Sequence, residues 1–142
     1  MHITLETDYA VRITNCLANT AQRTEAKRIA ELTGVTLRFA LKILRKLVAA
    51  GIVESFKGTK GGYVLAKEPG NITVHDVLCA VEGPYEIARC VDTSFECNRN
   101  TEFVTYCRFN RAFQAISKEV QGKLESITFQ QPPPESASAD EE

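Results

Sequence analysis

Residues 24–66 read TEAKRIAELTGVTLRFALKILRKLVAAGIVESFKGTKGGYVLA, and this stretch decides the fold. Ala26, Ile29, Ala30 and Leu32 mark a short helix from Thr24 to Thr33, which Gly34 stops in a left-handed conformation. Only Gly34, Val35 and Thr36 precede the next helix, a tight helix-turn-helix joint. The second helix runs from Thr36 to Ala50, burying Ala40, Ile43, Leu44 and Leu47 before Gly51 closes it. The period then changes from helical to extended. Residues 52–56 and 63–66 form two short strands, and three glycines and two lysines in the connection describe a basic hairpin tip.

Upstream, residues 7–18 place Tyr9, Ile13, Cys16 and Leu17 on one helical face, with Thr7 as the N-cap. Downstream, Thr73 caps a helix to Glu82 in which Val74, Val77, Leu78 and Val81 follow the i, i+3, i+4, i+7 template, and Gly83-Pro84 ends it. The order predicts a mainly α winged helix-turn-helix over residues 1–83, with one small β-hairpin. Residues 84–101 lack periodicity and form a cysteine-bearing loop, long enough to imply function. The segment 102–129 then holds the longest helical pattern, ending at about Ile127, with Phe109, Phe113, Ile116, Val120, Leu124 and Ile127 on one stripe. A helix of about 26 residues spans roughly 39 Å, and a stripe of that length needs a partner. Residues 130–142 are proline-rich, then small and acidic, the composition of a disordered tail.

The 142 residues suit one domain with an extra helix, and the longest apolar run, residues 47–53, is far too short to cross a bilayer. With no signal-peptide pattern at the N-terminus, the expected location is the cytoplasm, where five cysteines favour metal binding or redox chemistry over a disulfide framework. The net charge of -1 conceals a cancellation: residues 1–70 hold 11 Lys and Arg against 6 Asp and Glu, and residues 71–142 hold 6 against 12. The halves therefore carry +5 and -6. The basic half is the one with the helix-turn-helix.

A winged helix-turn-helix puts its third helix into the major groove of double-stranded DNA and its hairpin against the neighbouring backbone. Arg38, Lys42, Arg45 and Lys46 lie largely opposite the apolar face of that helix, and Lys57 and Lys60 occupy the hairpin tip. All six are candidate phosphate contacts. Thr36, Arg38 and Phe39, at the helix start, are the candidate readers of base edges.

Cys90, Cys97 and Cys107 form a second constellation. Thiolates are soft ligands that suit an iron-sulfur cluster, zinc or copper, and thiol redox chemistry or no joint role are the alternatives. No Cys-x-x-Cys pair occurs, which disfavours a zinc ribbon or finger. Cys16 and Cys79 lie within amphipathic helices and read as small buried hydrophobes. An enzyme is disfavoured because only His2 and His75 are available to activate a nucleophile, and no motif surrounds either.

The opening ITLETDYAVR over residues 3–12, the hairpin KGTKGGYVL over 57–65, the helix start ITVHDV over 72–77 and the three late cysteines resemble the dimeric iron-sulfur transcription regulators of the IscR, NsrR and RirA type. The resemblance covers nearly the whole chain to about Gln130. It implies a homodimer joined through the long C-terminal helix, and an iron-sulfur cluster held by Cys90, Cys97 and Cys107. Asp8 matches the position that supplies a carboxylate ligand across the dimer interface in the nitric-oxide-sensing branch, which favours a 4Fe-4S cluster over 2Fe-2S; the alternative is a first-turn acid favoured by the helix dipole. Glu96 and Glu102 are alternative oxygen ligands. The interval from Cys97 to Cys107 is longer than the family's usual one, so either the loop bulges or the ligand set differs.

The function so implied is a sequence-specific DNA-binding regulator, more often a repressor, controlled by the state of its cluster. The competing reading is a thiol- or zinc-dependent winged-helix regulator with no cluster, in which Cys97 and Cys107 form a disulfide or bind zinc. Family members without a cluster generally lack the cysteine triplet.

Overall fold

The computed structural model describes residues 3–20, 22–92, 94–97 and 107–131. Helix α1 spans Leu5–Ala18, one turn earlier at its start than the sequence suggests. Thr4 is the cap, its hydroxyl accepting from the Thr7 amide at 3.3 Å, while Thr7 is fully buried. Both hydroxyls donate to the Glu82 carboxylate, a long-range contact that moves the cap upstream and that periodicity does not register.

Helix α2 covers Ala26–Thr33 and α3 covers Leu37–Ala49. Gly34 adopts φ 70° between them, and Thr36 caps α3. Ala40, Ile43, Leu44 and Leu47 of α3 are fully buried, the four positions its pattern selects. Burying one such leucine or isoleucine contributes about 1.5–3 kcal/mol, so this face anchors α3 and leaves the opposite one to solvent. Leu32, by contrast, is exposed at the end of α2.

Strands β1 (Val53–Phe56) and β2 (Gly62–Leu65) pair antiparallel, with Val53 opposite Leu65 and Phe56 opposite Gly62. Thr24 does not begin α2. It exchanges backbone hydrogen bonds with Tyr63, at 3.0 and 2.9 Å, and so fixes the wing to the start of the helix-turn-helix. Gly62 makes that approach possible: its φ is 145°, and a Cβ there would lie 2.9 Å from the Thr24 carbonyl. Gly62→Ala is expected to lower stability by more than about 1 kcal/mol, because both strain and a backbone clash must be relieved. A urea melt matching that of the parent protein would refute this.

Helix α4 (Val74–Glu82) starts with a capping box: Asp76 N–H donates to the Thr73 hydroxyl at 3.1 Å, and Thr73 N–H donates to the Asp76 carboxylate at 2.9 Å. Helices α1 to α4 and β1 enclose one core around Ile13, Ile29, Ile43, Leu44, Leu47, Val53 and Val77.

Helix α5 is Arg108–Glu125, 18 residues rather than the long run expected over 102–129. At about 1.5 Å per residue it spans roughly 27 Å. Cys107 has φ -66° and ψ 110°, so the helix begins after it. Beyond Glu125 the chain turns back: Val74 N–H donates to the Ile127 carbonyl at 2.9 Å, Phe129 N–H to the Ile72 carbonyl at 3.2 Å, and Phe129 is buried in the core. Ile127, the last residue of the expected stripe, therefore lies past the helix and is exposed, while Phe129 serves the winged domain. Along α5, Phe109 and Ile116 are exposed and Phe113, Val120 and Leu124 only half-buried. The disordered tail expected from residue 130 lies, from 132 on, outside the described residues.

Candidate functional site

The outward face of α3 carries Arg38, Phe39, Leu41, Lys42 and Arg45 around one shallow groove. Thr36, the expected base reader, is exposed but also caps the helix, its hydroxyl accepting from the Phe39 amide at 3.4 Å. Phe39 is 40% exposed and meets the Tyr9 ring edge-on at 5.9 Å between centroids, so its ring is held in place on the groove wall. Arg38, Arg45, Lys57 and Lys60 are exposed and have no ion-pair partner among the described residues. Their charges face solvent.

Lys42 and Lys46 are placed differently from the sequence expectation of free phosphate contacts. Both ammonium groups pair with the carboxylate of Glu6 on α1, Lys46 at 2.8 Å. Lys46 also donates to the Val81 carbonyl at 3.1 Å, bracing α3 against the end of α4. The two lysines hold the Glu6 carboxyl down to about 2, chiefly by hydrogen bonding. Because the folded value lies below the ordinary one, this clamp is complete above about pH 4.5 and is lost as pH falls towards 2. Another side chain that the pattern did not mark is Arg23, whose guanidinium lies 3.5 Å from the centre of the Phe56 ring, at the end of β1 next to the hairpin tip.

The three late cysteines line one cavity of about 540 Å3, with Phe95, Phe109 and Phe113 as apolar walls and Arg89 at its edge. None is in a disulfide. Two bonds hold the loop on α5: Asn110 Nδ2 donates to the Cys90 carbonyl, and Ile87 N–H donates to the Ser117 hydroxyl at 3.3 Å. A short 3-10 turn, Arg89–Val91, presents Cys90. Cys107 stands at the N-cap of α5, where the helix dipole favours negative charge. Three soft thiol donors around one partly apolar space, with a cationic rim and a helix N-terminus, fit an anionic thiolate-ligated cluster chemically. Among the described residues, no three His, Cys, Asp or Glu side chains are already drawn together as a metal-holding group.

Asp8 does not line this cavity. Its carboxylate pairs with Arg12 one turn along α1, at 2.8 Å. Glu96 is exposed in the loop, and Glu102 lies outside the described residues.

Cys16 and Cys79 are half-buried, not core residues, and burial is the largest cause raising both thiols above their ordinary value. Cys79 Sγ lies 3.4 Å from His75 Nε2, and His75 Nδ1 lies 3.8 Å from the Glu125 carboxylate of α5. The array resembles a nucleophile with its base. Burial, by raising the Cys79 thiol, disfavours the thiolate that a nucleophile needs.

A family model described as "Rrf2: Iron-dependent Transcriptional regulator" matches residues 3–131. The "Protein aau3" of Rhizobium meliloti (strain 1021) is 34% identical over 128 residues, covering 86% of this chain and 80% of that protein. Among solved structures, CymR (YrzC), titled the global cysteine regulator of B. subtilis, is 27% identical with a TM-score of 0.70, covering 91% of this chain and 93% of its own. The structure titled T. potens IscR is 25% identical with a TM-score of 0.69, covering 91% and 83%.

Proposed function

Because the chain belongs to the Rrf2 family of transcriptional regulators, we propose that it is a homodimeric, sequence-specific DNA-binding repressor controlled by an iron-sulfur cluster. The observation that carries this reading is the common cavity of Cys90, Cys97 and Cys107, formed between the cysteine-bearing loop and the start of α5. Those three cysteines would hold the cluster, with 4Fe-4S as the favoured type; Asp8 of α1, which does not line the same chain's cavity, would be the fourth ligand from the second copy, across the dimer interface. When bound, such a cluster supplies a centre reactive towards oxidants and nitric oxide. An oxygen ligand is more exchangeable with iron than a thiolate, which suits a site that must react.

The protein's own residues supply the coupling. The loop that carries Cys90 and Cys97 is bonded to α5 through Asn110 and Ser117 and leaves the winged domain at Gly83. Immediately before it, Glu82 is held by Thr4 and Thr7 of α1, and the Val81 carbonyl by Lys46 of α3. A change in the cysteine loop therefore has short hydrogen-bonded routes to α1 and to the groove-reading helix. It regulates only if its free energy differs between the DNA-binding and non-binding arrangements. The apolar stripe of α5, with Phe109 and Ile116 exposed, supports α5 as the dimer surface.

On the DNA, Arg38, Arg45, Lys57 and Lys60 make phosphate contacts, Lys42 and Lys46 stand on the same helix with their charges engaged by Glu6, and Thr36, Arg38 and Phe39 face the bases. The likeness to a cysteine regulator supports a second reading, a cluster-free thiol or zinc regulator using Cys97 and Cys107. Selection of genomic fragments by the anaerobically prepared protein, followed by sequencing, tests the function. Enrichment of a two-fold-symmetric site that is lost after nitric oxide treatment is the expected result. Enrichment that depends only on thiol oxidation would favour the second reading, and no enrichment would contradict both.

A further inference from the structure

We propose that Glu6 is an intramolecular surrogate for a DNA phosphate, which holds Lys42 off the nucleic acid and thereby sets the overall DNA affinity of α3. This rests on α3 being the DNA-reading helix. Lys42 belongs to the groove formed with Arg38, Phe39, Leu41 and Arg45, so it stands where a phosphate would approach. Its ammonium is nevertheless paired with the Glu6 carboxylate from α1, 36 residues away in sequence. Lys46 shares the same carboxylate but has a second partner, the Val81 carbonyl, and its side chain is 34% exposed against 50% for Lys42. The two lysines thus have different roles: Lys46 braces the fold, and Lys42 is the cation that Glu6 withholds.

The chemistry is a competition between two anions for one ammonium. Glu6 is itself part-exposed, and a carboxylate at the edge of the groove both neutralises Lys42 and repels an incoming phosphate. Each phosphate contact adds about 0.9 to the magnitude of the slope of log affinity against log salt. A lysine that stays on Glu6 contributes little to that slope, whereas Arg45, with no partner, contributes in full.

The test measures binding of the full chain to a mixed-sequence DNA duplex, by fluorescence anisotropy, across a salt series from about 50 to 200 mM. Glu6→Gln is expected to tighten binding roughly five- to tenfold and to steepen the slope by about 0.9, and adding Lys42→Gln should return the slope to the parent value. In the parent background, Lys42→Gln should lower the slope by less than half as much as Arg45→Gln, a comparison that stands even if Glu6→Gln folds poorly. A slope unmoved by Glu6→Gln, or equal effects of Lys42→Gln and Arg45→Gln, would overturn the role of Glu6. If Arg45→Gln itself leaves the slope unchanged, the DNA-reading assignment of α3 fails instead, which separates the two outcomes.

Discussion

Anaerobically prepared Cys97→Ala protein is expected to lose most of its visible absorbance and most of its bound iron, while keeping its helical content. Cys97 lines the cavity with Cys90 and Cys107 but lies outside every helix and strand and outside the apolar core, so removing its sulfur touches no packing that the fold depends on. The stability cost should stay within about 1 kcal/mol, the range of substitutions away from cores and caps. The chemical cost is much larger, because a cluster held by three protein thiolates loses one of its main attachments. The same substitution at Cys16 or Cys79 removes no thiol from this cavity and should leave the absorbance in place. Undiminished colour in Cys97→Ala would exclude this residue as an essential ligand and move the site to a different donor set.

Reversing the charge at Arg45 should weaken binding to a DNA duplex by at least about tenfold near physiological salt, and should lower the salt slope by about one unit. Arg45 is exposed on the same groove as Arg38 and Phe39 and has no ion-pair partner among the described residues, so its full charge is available to a phosphate. Arg45→Glu also adds an anion next to the duplex. Since the residue is outside the core, thermal stability should change little, and the loss should appear only in binding. Unchanged affinity and slope would mean that this face of α3 is merely solvated.

The winged domain was largely legible because its information is local. The four buried positions of α3 repeat with the helical period, Gly34 and Gly51 mark stops, and Thr36 and Thr73 are caps whose chemistry acts over three residues. The end of α5 was not legible for a definite reason. Ile127 ends an apolar series that reads as helix, yet its carbonyl accepts from Val74 and the Phe129 amide bonds to residues 69 and 72, and sequence periodicity does not record that pairing. The helix start differs as well: Cys107 is the N-cap, so α5 begins at Arg108.

The candidate sites show the same division. Which residues are basic, and which cysteines fall in or beside the aperiodic stretch, could be read directly. That Cys90, Cys97 and Cys107 share one cavity depends on Asn110 and Ser117 fixing the loop to α5. That Lys42 and Lys46 are paired depends on a carboxylate 36 and 40 residues away. Opposite charges are abundant in the chain, and without the fold nothing distinguishes Glu6 from the other acids.

The most direct test of the central claim is native mass spectrometry of the anaerobically purified protein, combined with analysis of iron and acid-labile sulfide. The expected result is a coloured dimer whose excess mass and composition correspond to one iron-sulfur cluster per subunit. A colourless protein carrying zinc, or one with neither iron nor sulfide, would contradict it.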